Sequence, residues 1–313
     1  MKKIKIIFIG AGNIVTGYER NLKNCHLASL KESEDYEIVG VVDPNDENVE
    51  VFQKATGKER YELNELKNLE IDIIAICTPT ETHDKLINKI ISLGIRPRCI
   101  FCEKPFTNSL NKANLTFNNL TKNGIGLIIG YQRSFMNSFK EIAIDFQKSY
   151  LGSFLFGDFK YSKGLLNNGS HAIDLIYSIF GDVNFERFGK SFVDYNVEDP
   201  SLEVFFSFQK RSIHLIPIDE RIFSIFEADL IFEKARFRFI DNSFKLERYK
   251  LGEDSNFPGY VSLNPDNYKD TEMHISIDNM WREIAEMYHN ENFFSIKRST
   301  FVHEVLNDFK LNS

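Results

Sequence analysis

The chain has 313 residues, and its 38 Lys and Arg against 45 Asp and Glu give a formal net charge of −7 at pH 7. This length suggests two domains. The composition, with 42% hydrophobic and 27% charged residues, is typical of a globular protein and excludes wholesale disorder. The acidic balance, with no basic block, argues against a nucleic-acid partner, because phosphate binding needs clustered Lys and Arg.

The first residues superficially resemble a signal peptide, with a charged start before an apolar run. That run is too short for a secretory core, and no later stretch approaches the roughly 18 apolar residues of a membrane span. The four cysteines do not make a disulfide framework. We therefore expect a soluble, cytoplasmic protein without a membrane partner.

Short apolar strands alternate with helical stretches up to about residue 130. The predicted strands are Lys5–Ile9, Tyr36–Val42, Asp72–Cys77, Cys99–Cys102 and Gly126–Gly130, and the predicted helices are about Asn13–Lys31, Asn45–Thr56 and Thr82–Leu93. Continuous apolar runs are typical of parallel strands that are buried on both faces. The pattern predicts an α/β fold whose first domain, residues 1–130, is a doubly wound parallel Rossmann sheet.

The pattern changes after residue 130. Predicted elements are helices at Asn137–Lys148, His171–Phe180, Ile277–Tyr288 and Lys297–Phe309, a strand at Phe154–Tyr161, and alternating aromatic strands between Ser201 and Tyr249. Alternation is typical of antiparallel strands with one buried face. We expect residues 131–313 to form an α+β domain with a large, mostly antiparallel sheet, and the last helices to pack back on the first domain.

Cys99 and Cys102 form a C-x-x-C motif inside a predicted strand. Residues three apart on a strand point to opposite faces, so this pair cannot hold one metal ion. No second pair stands at zinc spacing. We expect buried structural thiols and no metal site.

A glycine-rich segment, Gly10–Val15, follows the first strand directly and opens a helix. In a dinucleotide fold, Gly10 would allow the tight turn and Gly12 the close approach of the pyrophosphate, with Asn13 and Ile14 completing the loop. Val15 stands where a third glycine is usual, so the fingerprint is incomplete.

Asp43 ends the second strand, where a carboxylate accepts hydrogen bonds from the adenosine ribose and repels a 2′-phosphate. The segment therefore predicts NAD binding, with NADP less favoured. The alternative is that Asp43-Pro44 is only a turn.

Further motifs stand at the ends of predicted strands or before a helix. They are Thr78-Pro79 with His83, Glu103-Lys104-Pro105, Gly130 to Arg133, and Asn167 to Asp174 with Gly169-Ser170-His171. In this order they resemble the glucose-fructose oxidoreductase, inositol dehydrogenase and rhizopine-catabolism (Gfo/Idh/MocA) family. The resemblance covers nearly the whole chain.

The resemblance implies roles for individual residues. Lys104 would lie between nicotinamide and substrate, often with a cis peptide before Pro105, and His171 would be the acid/base beside the reacting hydroxyl. Thr78, Pro79, His83 and Glu103 would line the cofactor. For His171 alone, the alternative is a residue at a helix N-terminus with Ser170 as its cap.

One departure from the family concerns Asn167, because many members carry an aspartate there. An amide can bind a sugar hydroxyl but cannot accept a proton, which leaves Lys104 and His171 as the proton carriers. A second departure is the short segment of residues 162–166. It suggests a site open to a larger substrate, such as a nucleotide-linked sugar.

Two more residues are candidates for substrate binding. We expect Arg133 to reach a carboxylate or phosphate of the substrate, the alternative being a surface salt bridge. Asp174 shares a helix face with His171 and would orient the ring or the substrate, or act only on the helix dipole.

The sequence therefore predicts an NAD-dependent oxidoreductase acting on a hydroxyl or keto carbon of a sugar, nucleotide-sugar or cyclitol. Two alternatives remain open. One is a lyase or glycosidase with internal redox chemistry, and the other is a non-catalytic dinucleotide-binding regulator. The resemblance also implies a homodimer or homotetramer that pairs through the C-terminal sheet.

Overall fold

A computed structural model of the chain describes residues 2–18, 24–291, 298 and 300–306. The described residues form two compact units. One comprises the described residues of Met1–Gln132 and of Ile275–Leu311, and the other comprises Arg133–His274. Each unit contains its own sheet.

The first unit contains a six-stranded sheet in the order β3-β2-β1-β4-β5-β6, and all its pairings are parallel. Its strands are β1 (Ile4–Ile9), β2 (Tyr36–Val42), β3 (Glu59–Arg60), β4 (Ile73–Ile76), β5 (Cys99–Cys102) and β6 (Gly126–Ile129). Every residue of β4 and β5 is buried, as a strand covered on both faces requires. The predicted Rossmann sheet is confirmed.

The helices of this sheet are α1 (Asn13–Thr16), α2 (His26–Lys31), α3 (Asp46–Thr56), α4 (Thr80–Ser92) and α5 (Leu110–Lys122). The prediction of one helix over Asn13–Lys31 is wrong, because α1 ends after four residues at Gly17. Gly17 has φ +90°, a conformation that only glycine adopts easily, and the helix cannot continue through it. Residues 19–23 lie outside the described part of the chain.

The C-terminal helix α8 (Ser276–His289) belongs to the first unit. The Tyr36 hydroxyl donates to the Trp281 carbonyl over 2.7 Å, and the Tyr288 hydroxyl donates to Asp72 over 2.6 Å. Residues 300–306 are also helical, while the rest of the predicted helix Lys297–Phe309 lies outside the described residues, apart from residue 298.

The second unit contains an eight-stranded sheet in the order β14-β13-β12-β11-β7-β10-β9-β8. Its strands are β7 (Phe154–Tyr161), β8 (Asn184–Asn196), β9 (Asp199–Phe208), β10 (Arg211–Pro217), β11 (Phe226–Phe232), β12 (Ala235–Ile240), β13 (Lys245–Glu253) and β14 (Val261–Asp270). Among the pairings described in this second sheet, only that of β7 with β10 is parallel. The predicted mostly antiparallel sheet is confirmed.

Two helices of this unit, α6 (Asn137–Gln147) and α7 (Ser170–Phe180), carry the buried apolar positions that cover the sheet. Phe139 of α6 stacks on Phe239 of β12 at a ring distance of 3.8 Å, and Phe180 of α7 contacts Phe154 of β7 at 4.5 Å. Most of the aromatic residues here are therefore core, as expected.

No helix in the described ranges is both long enough and apolar enough to cross a lipid bilayer.

Candidate functional site

The glycine loop follows β1 at the carboxyl edge of the first sheet. Gly10 has φ +92°, and a Cβ there would lie 2.7 Å from the Cys77 carbonyl oxygen, so the fold itself requires glycine. Gly12 differs, because its φ is −71° and a Cβ there would meet nothing within 4 Å. The protein has no structural need for glycine at this second position, and its bare backbone faces open space that a bound group can fill.

Asp43 holds this loop from the end of β2. Its buried carboxylate accepts the Ala11 N–H through Oδ2 over 2.6 Å and the Asn45 N–H through Oδ1 over 2.8 Å. The Asp43-Pro44 turn is thus present, and the same carboxylate fixes the loop beside it. Asn45 in turn caps α3 by accepting the Asn48 N–H.

The Thr78-Pro79 segment starts α4 after β4. The Thr78 and Thr82 hydroxyls lie 2.6 Å apart, and Pro79 occupies the N-cap position. His83 is buried, with Nε2 2.7 Å from the Thr78 carbonyl and Nδ1 3.1 Å from the Phe106 carbonyl. Both partners are acceptors, so a neutral ring donates to only one of these two carbonyls while its other nitrogen lies against the second.

Glu103 and Lys104 follow β5 at the same edge. Glu103 places Oε1 2.9 Å from Nε2 of His26, while its Oε2 accepts the Lys104 N–H over 3.2 Å. The Lys104-Pro105 peptide is cis, as the resemblance implies. Lys104 itself is half-buried.

These segments end four neighbouring parallel strands, β1, β2, β4 and β5, on both sides of the point where the strand order reverses. This topological switch point is where open α/β sheets bind their ligands. The cradle at Gly12 and the Asp43 carboxylate fit a dinucleotide, whose pyrophosphate needs a close backbone and whose ribose needs an acceptor.

The second unit carries His171 on α7. A π-helical turn, Gly164–Gly169, runs directly into this helix, so His171 lies one turn inside a longer helical segment. The Ser170 hydroxyl donates to the Leu166 carbonyl over 2.6 Å and does not cap the helix. The alternative that His171 follows a Ser170 cap is therefore wrong.

Asp199 fixes the start of this segment. Its carboxylate accepts the Leu166 N–H over 2.7 Å and the Asn167 N–H over 2.9 Å, from a strand more than 30 residues along the chain. Sequence reasoning missed Asp199, because nothing near it in the chain marks it as a partner of Asn167.

Arg133, Phe226 and His171 lie together in the second unit. The Arg133 guanidinium is 4.0 Å from the centre of the Phe226 ring, and the His171 ring meets the same ring edge-on at 6.3 Å. Arg133 forms no ion pair with any described residue, so the salt-bridge alternative is wrong. Its Nε is buried without a hydrogen-bond partner in the described chain, and burial lowers the pKa of this guanidinium to about 10.

Asp174 lies one turn after His171 and is buried. The Ser134 hydroxyl donates to Asp174 Oδ2, and the Ser178 hydroxyl donates to the Asp174 carbonyl. The carboxylate thus joins α7 to the segment that carries Arg133.

The cysteines are all buried and free. Burial raises the pKa of the Cys102 thiol well above its ordinary value, which makes it unreactive. Among residues that the structure describes, no group of three potential metal ligands lies together.

The fold and the switch-point residues define a dinucleotide-binding Rossmann domain joined to an α+β domain. Comparison with known families covers the first domain: residues 4–131 match the oxidoreductase family with an NAD-binding Rossmann fold (Gfo/Idh/MocA). The resemblance stated from the motifs is confirmed.

A relative of known function is similar to part of this chain. Inositol 2-dehydrogenase of Rhizobium meliloti is 27% identical over 145 residues, which are 45% of this chain and 41% of that protein. The chain therefore matches only about two fifths of that relative's length.

Two solved structures share the whole fold. An oxidoreductase from Agrobacterium radiobacter, in complex with NAD+, L-tartaric acid and magnesium, has a TM-score of 0.71 at 14% identity, covering 96% of this chain and 94% of that one. A 3-ketoreductase from Actinomadura kijaniata, in complex with TDP-benzene and NADP, has a TM-score of 0.74 at 12% identity, covering 98% and 96%.

Proposed function

We propose that the protein is an NAD-dependent oxidoreductase acting on a hydroxyl or keto carbon of a sugar, nucleotide-sugar or cyclitol. The observation that carries the proposal is the cradle at Gly12, where bare backbone faces open space beside a loop held by Asp43. The match of residues 4–131 to an NAD-binding oxidoreductase family supports it.

We assign proton transfer to Lys104 and His171. The bound nicotinamide supplies the hydride acceptor or donor. Oxidation of an alcohol also releases the hydroxyl proton, and an imidazole, with an intrinsic pKa near neutrality, is suited to accept it. The Lys104 ammonium would polarise the same oxygen or share its proton.

Asn167 would bind a substrate hydroxyl through its amide without carrying a proton. Its backbone is held by Asp199, which supports a fixed position. Asp174, bound by Ser134, would orient the His171 ring or the substrate from one turn further along the same helix.

Arg133 is proposed to bind an anionic group of the substrate, a carboxylate or a phosphate. The Arg133 guanidinium is partly buried, with its Nε shielded from solvent and no ion-pair partner among the described residues. Desolvation of such a charge is unfavourable, and an anion that arrives with the substrate would offset it. Its shared contact with Phe226 would keep the anion near His171.

Asp43 supports a preference for NAD. A carboxylate at the end of β2 accepts ribose hydroxyls and repels the 2′-phosphate of NADP. The remaining cofactor residues would be Gly10, Asn13, Ile14, Thr78, Pro79 and Glu103, with His83 acting through the loop whose carbonyl its ring N–H bonds.

Variants at the two proton carriers test the proposed chemistry. We expect Lys104→Met and His171→Asn each to lower kcat on the order of a hundredfold or more while the dissociation constant of NAD changes little. Turnover without net NADH formation would instead indicate the internal-redox lyase. NAD binding by a wild-type protein that turns over no sugar would indicate the regulator.

Substrate charge tests Arg133 separately. We expect Arg133→Gln to raise KM for an anionic sugar, such as a hexose phosphate or a hexuronate, at least tenfold more than for its neutral parent sugar. Equal effects on both sugars would contradict the assignment.

We also propose that the protein forms a homodimer or homotetramer through the outer face of its eight-stranded sheet. Phe156 lies on the central strand β7 and is 38% exposed, next to Ile231 of β11. Phe156→Glu should shift the mass measured by light scattering towards the monomer. A wild-type monomer would contradict this part of the proposal.

A further inference from the structure

Three side chains of the first unit form a chain of hydrogen bonds that ends at Lys104. The Trp281 indole N–H of α8 donates to Nδ1 of His26 over 3.0 Å, and Nε2 of His26 lies 2.9 Å from Oε1 of Glu103. Glu103 Oε2 then accepts the backbone N–H of Lys104 over 3.2 Å.

The indole sets the tautomer of His26. An indole N–H can only donate, so Nδ1 must present its lone pair to Trp281. The ring proton is therefore on Nε2, from which it is donated to the Glu103 carboxylate. The Nδ1–H tautomer would point two N–H groups at each other and leave the carboxylate without this donor.

The chain of hydrogen bonds is rigid because its members are packed on all sides. His26 and Trp281 are each only 1% exposed, and both contact the Phe101 ring, at 5.3 and 4.7 Å. The Tyr36 ring packs edge-on against the indole from another side, at 5.6 Å between ring centres. The indole thus has little freedom to rotate.

Glu103 is confined from the neighbouring strand as well. A Cβ added to Gly130 would lie 3.0 Å from Glu103 Oε1 and 2.8 Å from the Phe101 ring. The carboxylate therefore packs closely against the backbone that follows β6, and a side chain at residue 130 would displace it.

We propose that Trp281 and His26 are positioning residues, which hold the Glu103 carboxylate and through it the backbone of Lys104. The proposal rests on the proposed function, in which Lys104 acts on the reacting oxygen. It assigns a role in the reaction to α8, a helix more than 170 residues beyond Lys104 in sequence. Neither Trp281 nor His26 touches the substrate.

The hydrogen bonds can be tested without any turnover, because Trp281 is the only tryptophan of the chain. The ¹H–¹⁵N spectrum of the whole protein then has one indole cross-peak. We expect His26→Leu to move it strongly, and long-range ¹H–¹⁵N correlations to place the His26 proton on Nε2. A proton on Nδ1, or an unmoved indole peak, would overturn the proposal. This outcome does not depend on whether the protein has the proposed function.

The catalytic consequence needs a matched control. Trp281→Phe removes the indole N–H, whereas Tyr36→Phe removes a hydrogen bond to the backbone carbonyl of the same residue and leaves the bond between the indole and His26 in place. We expect Trp281→Phe to lower kcat on the order of tenfold with KM values within about twofold, and Tyr36→Phe to keep kcat. Equal kcat values in the two variants would overturn the proposal.

A second pair separates positioning from stability. His26→Gln retains an N–H that can reach Glu103, whereas His26→Leu does not. We expect the Gln variant to recover most of the kcat lost in the Leu variant when both are assayed well below their unfolding temperatures. If the two variants have the same kcat, His26 is merely structural.

Discussion

At the scale of single residues, the two glycines of the loop after β1 have different reasons to be glycine. Gly10 combines φ +92° with a carbonyl oxygen 2.7 Å from its Cβ position, so its constraint comes from the fold. Gly12 has an ordinary φ and open space, so its constraint comes from what binds. One substitution therefore tests folding and the other tests binding.

We expect Gly10→Ala to lower the free energy of unfolding by about 2–4 kcal/mol, because the added methyl group is both strained and crowded. Gly12→Ala should leave that free energy within about 1 kcal/mol but weaken NAD binding at least tenfold. Chemical denaturation and calorimetric titration measure the two effects. Loss of stability in Gly12→Ala, or undiminished NAD affinity, would contradict this reading.

Residue pairs far apart in the chain are what sequence reasoning could not find. The motifs pointed to Asp43, Lys104 and His171 because each stands next to a recognisable strand end or helix. Asp199 and Trp281 stand next to no recognisable motif, and the residues that they bond come close to them only in the folded chain. Hydrogen bonds across long separations leave no local pattern.

At the scale of elements, buried strands were predictable and exposed ones were not. β2 and β7 match their predicted bounds, because their apolar positions make the period of the strand plain. β8 and β14 were not predicted, since most of their residues are at least partly exposed and carry no clear alternation. The break between α1 and α2 was also missed, because Gly17 alone does not reveal its φ value.

His303, in the helical residues 300–306, is expected to make the stability of the protein depend on pH. His303 is buried beside Phe106, and burial lowers its pKa from 6.5 to about 4. Above pH 6.5 the imidazole is largely neutral in both the folded and the unfolded chain, so its burial does not lower the stability. As the pH falls from 6.5 towards 4, the unfolded chain takes up the proton first, so the folded state loses stability.

His303→Leu should remove this acid sensitivity. The wild type loses stability on acidification and the variant does not. The difference in free energy of unfolding, variant minus wild type, should therefore grow by about 2–3 kcal/mol from pH 7 to pH 4.5, because each pKa unit of the shift corresponds to about 1.36 kcal/mol. Urea denaturation of both proteins across this range measures the difference. A difference that is constant with pH would show that His303 does not titrate as its burial implies.

At the scale of the whole molecule, the first unit is not continuous in sequence. α8 returns to it after the whole second unit, and it supplies the buried Trp281 and the Tyr288 hydrogen bond to Asp72. The first 132 residues therefore lack part of their own core.

A chain that ends at residue 274 tests this dependence. Loss of α8 removes Trp281 from the core of the first unit. The loss of this side chain alone should lower the free energy of unfolding by about 3–5 kcal/mol, as for other buried aromatic residues. We expect amide hydrogen exchange to accelerate throughout β1, β2 and β5 in the truncated chain, whereas the strands of Arg133–His274 keep their protection. Full protection of β1 and β2 would mean that α8 is dispensable for the first unit.

The central claim is that the chain binds NAD and uses it to oxidise or reduce a sugar-like substrate. Calorimetric titration of the purified protein with NAD(H) and NADP(H), followed by absorbance of the reduced nicotinamide against sugars, cyclitols, nucleotide-sugars and their anionic forms, tests it most directly. We predict tighter binding of NAD than of NADP and turnover of at least one carbohydrate. Binding of neither dinucleotide would contradict the account.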